Sequence, residues 1–383
     1  MNVLIASGCF FLSFLTISGL NWLDLIPWRK TRGEHWAERA RVLWPVRKKS
    51  AILVIYVPLL VAEGSSLLWA CPGTVLVLRG LCGFAGALGG CWFLNRELFP
   101  GLRLRPWLHD VVVGTVLRLG LWLVFIAIAY SMPDRFGSRV WLMLAGALVL
   151  QVIWPLMALG LLRLLGIIHP AGDRLRQIVA QCTPAGGPRV RGLWQARGVT
   201  ANALALPLSG TLVFMDKLLE ILTEEEVAAV CAHEIGHLTE SWLTLLGRHL
   251  GAMAILPLLL LQPAVHQWGA GGFLIMVLAT VGGLRLARKL AQRMETRADQ
   301  IARHAEAGDG VYARALEKIY QTNQVPAVMP GKNMTHPHLY DRMTAAGVIP
   351  GFPRPLPPER FNLTGWLLLI ASPLLLVWMI VNR

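Results

Sequence analysis

His233, Glu234 and His237 form a His-Glu-x-x-His arrangement, and these residue types at this spacing define a chemistry. On a helix, positions i and i+4 share a face, so both imidazoles can converge on one ion while the intervening carboxylate reaches a water beside it. The ion that suits this set is Zn²⁺, which makes water an attacking nucleophile near neutral pH. Glu234 is then the general base that takes the proton as a peptide carbonyl is attacked. The flanks support a helix: Thr223 and Glu226 form a capping box, Glu224 to Glu226 complement the helix dipole, and Val227 to Cys231 is an apolar run. Three polar residues on a solvated helix face is the bland alternative, and these flanks disfavour it.

A catalytic zinc needs three protein ligands and one open position. The compact metzincin extension fails, because Glu240 stands where glycine is required and Leu243 where the third histidine would be. The ligand must come from farther along the chain. Glu295 is the best candidate, on a predicted helix and four residues before Asp299. The two carboxylates then share a face, and Asp299 can accept a hydrogen bond from a ligand imidazole and set its tautomer. A surface salt bridge from Glu295 to Arg288, Arg293 or Arg297 is the competing reading. Cys231 points away from His233 on a helix and reads as a small core residue.

The surroundings of this motif are unusual for a soluble enzyme. Of 383 residues, 55% are hydrophobic and 15% charged, so lipid is the expected solvent for much of the chain. Eight apolar stretches approach membrane-spanning length: 3–23, 51–70, 75–94, 111–130, 140–162, 243–261, 270–286 and 363–381. The seventh is short and glycine-bearing, and reads either as a span or as half of a re-entrant hairpin. The formal charge of +14 could indicate a nucleic-acid partner, but the basic residues cluster in alternate loops, with Arg29 to Lys49 and Arg96 to Arg105 on one side. By the positive-inside rule these loops are cytoplasmic and both termini lie outside, so no nucleic acid is expected. The first stretch reads as a retained span and not a cleaved signal peptide. Six cysteines without a Cys-x-x-Cys pair predict no disulfide framework. Among charges at membrane depth, Arg79, Asp110 and Arg163 are expected to snorkel to the interface, whereas Arg118 calls for an internal partner such as Glu63.

These patterns divide the chain into N-terminal membrane segments (1–165), a first catalytic block with the motif helix (166–242), a membrane hairpin (243–287), a second catalytic block with the third zinc ligand (288–362) and a C-terminal membrane segment (363–383). In the first block, Asp173 to Cys182 reads as an amphipathic helix. Residues 192–195, 200–206 and 210–214 read as short strands, with a turn at Pro207 to Gly210. In the second, helices are predicted over 288–302 and 310–321. Two apolar segments lie between His237 and Glu295, so the chain returns to its starting side and both ligands face the cytoplasm.

Over roughly Thr200 to Met343 the chain resembles the integral-membrane gluzincin family that includes HtpX and the type 1 CAAX prenyl protease. The matching residues are Asn202-Ala203-Leu204-Ala205, His233-Glu234-Ile235-Gly236-His237, Glu295-Thr296-Arg297-Ala298-Asp299, similar to the family's ExxAD, and His336-Pro337 with Arg342, similar to its HPxxxxR. The resemblance implies that Glu295 is the third zinc ligand, that Asp299 and Arg342 support the ligands from behind, and that His336 donates to the oxyanion. It also implies that Asn202 with the strand Gly210, Thr211, Leu212, Val213 and Phe214 holds substrate as an added β-strand. Ser209-Gly210 is a reduced form of the family's glycine-rich stretch, and Leu204 replaces a common aromatic. The segment layout matches neither HtpX nor the CAAX protease in full.

The fold expected is therefore mostly α, a polytopic membrane helical bundle of about eight segments with a cytoplasmic zincin-like α+β catalytic domain. The function expected is zinc-dependent endopeptidase action, with one catalytic Zn²⁺, on membrane-associated or misfolded proteins beside the lipid bilayer. The setting is a bacterial inner membrane with a cytoplasmic active site, or an ER or organelle membrane in a eukaryote. A dedicated maturation protease for one peptide or prenylated tail, and a non-catalytic scaffold or transporter, stay open as alternatives.

Overall fold

A computed structural model describes residues 2–69, 73–114, 120–183, 187–241, 244–245, 254, 256–306, 308, 310–330, 338–359 and 365–366. The protein is a mostly α, polytopic membrane-type helical bundle that carries one small sheet. It divides into two compact units, residues 1–104 with 324–331 and 351–383, and residues 105–323 with 332–350.

The first unit contains α1 (Asn2–Lys30), α2 (Trp36–Leu68) and α3 (Gly73–Leu98). Along α1 the buried residues Ala6, Cys9, Ser13, Ile17, Asn21, Leu25 and Trp28 recur every three or four positions, while Val3, Leu4, Phe11 and Leu15 face outward. An inward stripe that includes small and polar residues, with large apolar side chains facing outward, is the pattern of a helix whose solvent is lipid. Arg79 does not snorkel: it is buried and donates to Ser65 Oγ at 3.1 Å and to the Trp69 carbonyl at 3.0 Å. Local acceptors at the end of α2 take up one end of the guanidinium, Nη1, without a route to the interface. Arg118 lies outside the described residues.

The second unit contains α4 (Leu104–Gly114), α5 (Gly120–Tyr130), α6 (Ser138–Leu164), α7 (Asp173–Cys182), α8 (Asp216–Ile221), α9 (Glu224–Leu238), α10 (Leu256–Leu259), α11 (Leu261–Ala305), α12 (Val311–Thr322) and α13 (Leu339–Ala345). Its four-stranded sheet uses β1 (Ile168–Pro170), β2 (Gly192–Ala196), β3 (Ala203–Leu206) and β4 (Thr211–Met215) in the order β1-β2-β4-β3. β4 runs parallel to β2 and antiparallel to β3, leaving β3 at an edge. A 3₁₀ turn at Pro207–Ser209 closes on Gly210 in the left-handed region, φ 62°, which glycine reaches without a Cβ penalty.

Among the described residues, five helices are long and apolar enough to cross a membrane: α1, α2, α3, α6 and α11. The expected fourth segment falls on α4 and α5, each of 11 residues, with 115–119 between them outside the described residues. The sixth and eighth expected segments lie mostly outside the described residues. The seventh is one stretch of α11, a 45-residue element kinked at Gly269.

α11 runs across 287/288, and α4 and α6 pack on the sheet through Val112, Val113, Leu159, Leu162, Ile168, Ala196, Val213 and Met215.

Candidate metal centre

The motif helix α9 starts as its sequence dictates. Thr223 Oγ1 accepts from the Glu226 N–H at 3.3 Å, and Glu226 Oε2 accepts from the Thr223 N–H at 2.9 Å. Lys318 Nζ, on α12, reaches the same carboxylate oxygen at 2.8 Å, so the cap also ties two helices of the site together. At the other end, Gly236 lets α11 come close. A Cβ there would lie 3.2 Å from Ile301 Cδ1 and 3.3 Å from the Ala298 Cα.

That approach brings Glu295 to the histidines. Its Oε2 lies 3.5 Å from His233 Nε2 and 3.7 Å from His237 Nε2, and ligand atoms of the three residues fall within 4.8 Å of one another. Ligands held tetrahedrally at zinc bond lengths stand about 3.4 Å apart. The donor set therefore fits a single Zn²⁺ with little adjustment. Arg297, a competing salt-bridge partner in the sequence reading, instead donates to Thr239 Oγ1 at 3.0 Å.

The far nitrogens of both rings are also engaged. His233 Nδ1 is 2.7 Å from Tyr312 Oη and 3.2 Å from Asp299 Oδ1. Tyr312 Oη donates to Asp299 Oδ1 at 2.9 Å, and Arg342 donates to both. His237 Nδ1 is 2.8 Å from Glu240 Oε1. A carboxylate or phenol oxygen on Nδ1 keeps the proton there and turns the Nε2 lone pair toward the ion. Burial works against a positive His237, but hydrogen bonds to Glu240 and Glu295 outweigh it and raise its pKa to about 10. His233 shifts upward by the same contest, with burial opposed by Asp299 and Glu295. The local field therefore favours positive charge between the rings.

Glu234, 8% exposed, lines a cavity of about 300 Å³ together with His233, His237, Glu295, Asn202 and Arg342. Asn202 is exposed at the start of β3, and its carbonyl accepts from the Met215 N–H at 2.9 Å. Of the residues expected to hold substrate, Asn202 borders this cavity, but Gly210, Thr211, Leu212 and Val213 do not have a free edge to offer. β4 is central, hydrogen-bonded to β2 on one side and β3 on the other, and a strand with both edges used cannot accept a third. Among the described residues the sheet's edge strands are β1 and β3, and it is β3 that lines the cavity, through Ala203, Leu204 and Ala205. His336 lies outside the described residues.

Sequence reasoning missed Tyr312, Glu240 and Asn323. Asn323 clamps the backbone ahead of Asn202, its Oδ1 accepting from the Ala201 N–H at 2.9 Å and its Nδ2 donating to the Ala201 carbonyl at 2.7 Å. Only Glu240 left a readable signal, its i+3 spacing from His237.

The His/His/Glu group, with oxygen-backed imidazoles, thus stands beside an edge strand, in a chain whose described residues include five helices of membrane length. Residues 172–348 match the model of peptidase family M48, the family that contains HtpX and the CAAX prenyl protease. Peptidases of this family are zinc-dependent in general. No curated protein and no solved structure matches the chain.

Proposed function

We propose that the chain is a zinc-dependent endopeptidase that hydrolyses peptide bonds of membrane-associated or misfolded proteins at the cytoplasmic membrane surface. One observation carries the reading: His233, His237 and Glu295 converge beside Glu234 within the segment that matches a peptidase family. In this reading those three residues hold Zn²⁺, which when bound polarises the scissile carbonyl and acidifies water. Glu234 accepts the proton of the attacking water and passes it to the departing amine. Asp299, Tyr312 and Glu240 keep the histidine tautomers and ring angles, and Arg342 holds Asp299 in place. His336 donates to the developing oxyanion, as the family resemblance implies.

The free edge of β3 takes the substrate as an added strand, with Asn202 at its start. Backbone hydrogen bonds supply the affinity, so a broad range of sequences is accepted. The alternating basic loops support the cytoplasmic side. Cysteines placed at Gln267 and Asn333 should then label from opposite sides of the membrane, position 333 from the cytoplasm, and labelling from one side would overturn the orientation.

The central test is direct. Purified protein should hold about one zinc per chain and cleave casein, and a zinc chelator should stop the cleavage. Protein that binds zinc yet cleaves neither casein nor a peptide library is a scaffold and not a peptidase.

A further inference from the structure

A second cavity, of about 280 Å³, lies against the same edge strand. Asn202, Ala203 and Leu204 wall both cavities. The rest of the second is built largely from apolar side chains of α4, α6 and the sheet, among them Val113, Leu159, Ala196, Val213 and Met215, with Gly114 at the end of α4. Pockets for whole drug-sized ligands run upward from about 300 Å³. This one has the capacity for part of a ligand, such as one large side chain.

The strand register says which part. Leu204 pairs with Val213, whereas Ala203 and Ala205 pair with Phe214 and Leu212. Paired residues share a face of the sheet, and successive residues alternate between faces. Val213 belongs to the core on the α4 and α6 side, so Leu204 shares that side. Ala203 and Ala205 belong to the opposite face. A strand added at the edge of β3 obeys the same alternation. When one of its side chains points to the α9 face and the metal centre, its neighbours point to the α4 and α6 face, where the second cavity opens.

We infer that this cavity is a specificity pocket for one large apolar side chain, Leu, Met or Phe, of the bound substrate strand. The inference rests on the proposal that β3 is the substrate edge. One polar group of the pocket wall, Asp110, accepts through Oδ2 from the Val199 N–H at 3.0 Å and so anchors the turn that leads into β3. A carboxylate beside the pocket also disfavours an acidic occupant. Selection for a large apolar residue suits a peptidase of membrane-associated or misfolded chains, because native soluble proteins keep such residues covered.

Gly114 provides the means to test this, since a side-chain carbon added there meets no atom within 4 Å. Gly114→Phe adds a ring at a residue that lines the cavity, and Leu159→Ala removes side-chain volume from its α6 wall. Peptides differing only in Ala, Leu, Phe, Trp or Asp at each scanned position are compared by cleavage with the zinc-loaded protein, and by equilibrium binding to Glu234→Gln. The native protein should prefer Leu or Phe to Ala at one position by about tenfold or more, the usual effect of a few methylenes in an apolar pocket. Gly114→Phe should shrink that ratio to within about twofold, and Leu159→Ala should extend the preference to Trp. A ratio that is absent from the native protein, or that survives Gly114→Phe unchanged, overturns the pocket. Binding that shows the size preference while no peptide is cut keeps the pocket and removes the peptidase reading instead.

Discussion

Lys49 and Asp24 form an ion pair in the helical first unit, with the Lys49 side chain fully buried. In the catalytic unit, Glu234, Glu240, Glu295 and Asp299 gather around two imidazoles, with Arg342 as the guanidinium on Asp299. The first cluster joins one cation to one carboxylate and is neutral within itself. The second sets four carboxylates against one guanidinium and two imidazoles whose pKa values hydrogen bonds to those carboxylates raise. Buried charge is tolerated only when paired or when it binds metal. The contrast therefore separates a one-to-one ion pair from a carboxylate-rich site whose composition suits a divalent cation.

The largest effect that can break this comparison is at Glu234. Glu234→Gln keeps all three ligands, so zinc content should hold while turnover falls by roughly 10² to 10⁴ or more. Normal turnover would remove Glu234 from the chemistry. Glu295→Ala and His336→Ala come next and should part company. The first should lose zinc along with activity, whereas the second should keep zinc and lose about 10² to 10³ in kcat, the usual result for one oxyanion donor. Metal analysis of both variants decides, and the reverse outcome would swap the two roles.

The first unit gives a smaller and different response. Lys49→Met leaves Asp24 without its buried cation and should cost about 3–5 kcal/mol of stability, while the double variant Lys49→Met with Asp24→Leu should recover most of it. Zinc content should not change in either, and thermal unfolding with metal analysis checks both points. The smallest expected effect is at Glu240. Glu240→Gln keeps an oxygen for the His237 Nδ1–H but removes the charge, and should weaken zinc binding about 10- to 100-fold. Titration against a competing chelator reads it, and an unchanged affinity would make Glu240 a packing residue.

Local signals in the sequence were legible where one element carried the whole cause. The amphipathic period over Asp173 to Cys182 corresponds to α7. The capping box corresponds to the start of α9, and the Pro207 to Gly210 turn separates β3 from β4. β1, at three residues, and α8, at six, are too short to show a period. Long apolar helices were readable for the same reason as α7, since the transfer of some 20 apolar residues is a sum over the segment. Tyr312 and Asn323 were not readable, because a buried tyrosine or a loop asparagine acquires its role only from its partner, 79 residues away for Tyr312 and His233.

The amino-acid sequence by itself determined the chemistry available to this protein: the His-Glu-x-x-His spacing on a capped helix, the carboxylate pair Glu295 and Asp299, and the apolar segments that need lipid. Each of these depends on residues within a few turns of one another, so periodicity and residue type suffice. Only the tertiary structure decided which strand is open and which helix brings the third carboxylate. β4 is central and β3 an edge by the strand pairing, with α4 and α6 packed on the sheet at Val213 and α9 against β3. Glu295 reached the histidines because Gly236 let α11 approach within contact of Ala298. Strand order and helix approach are settled by long-range packing between surfaces that no local window of sequence contains.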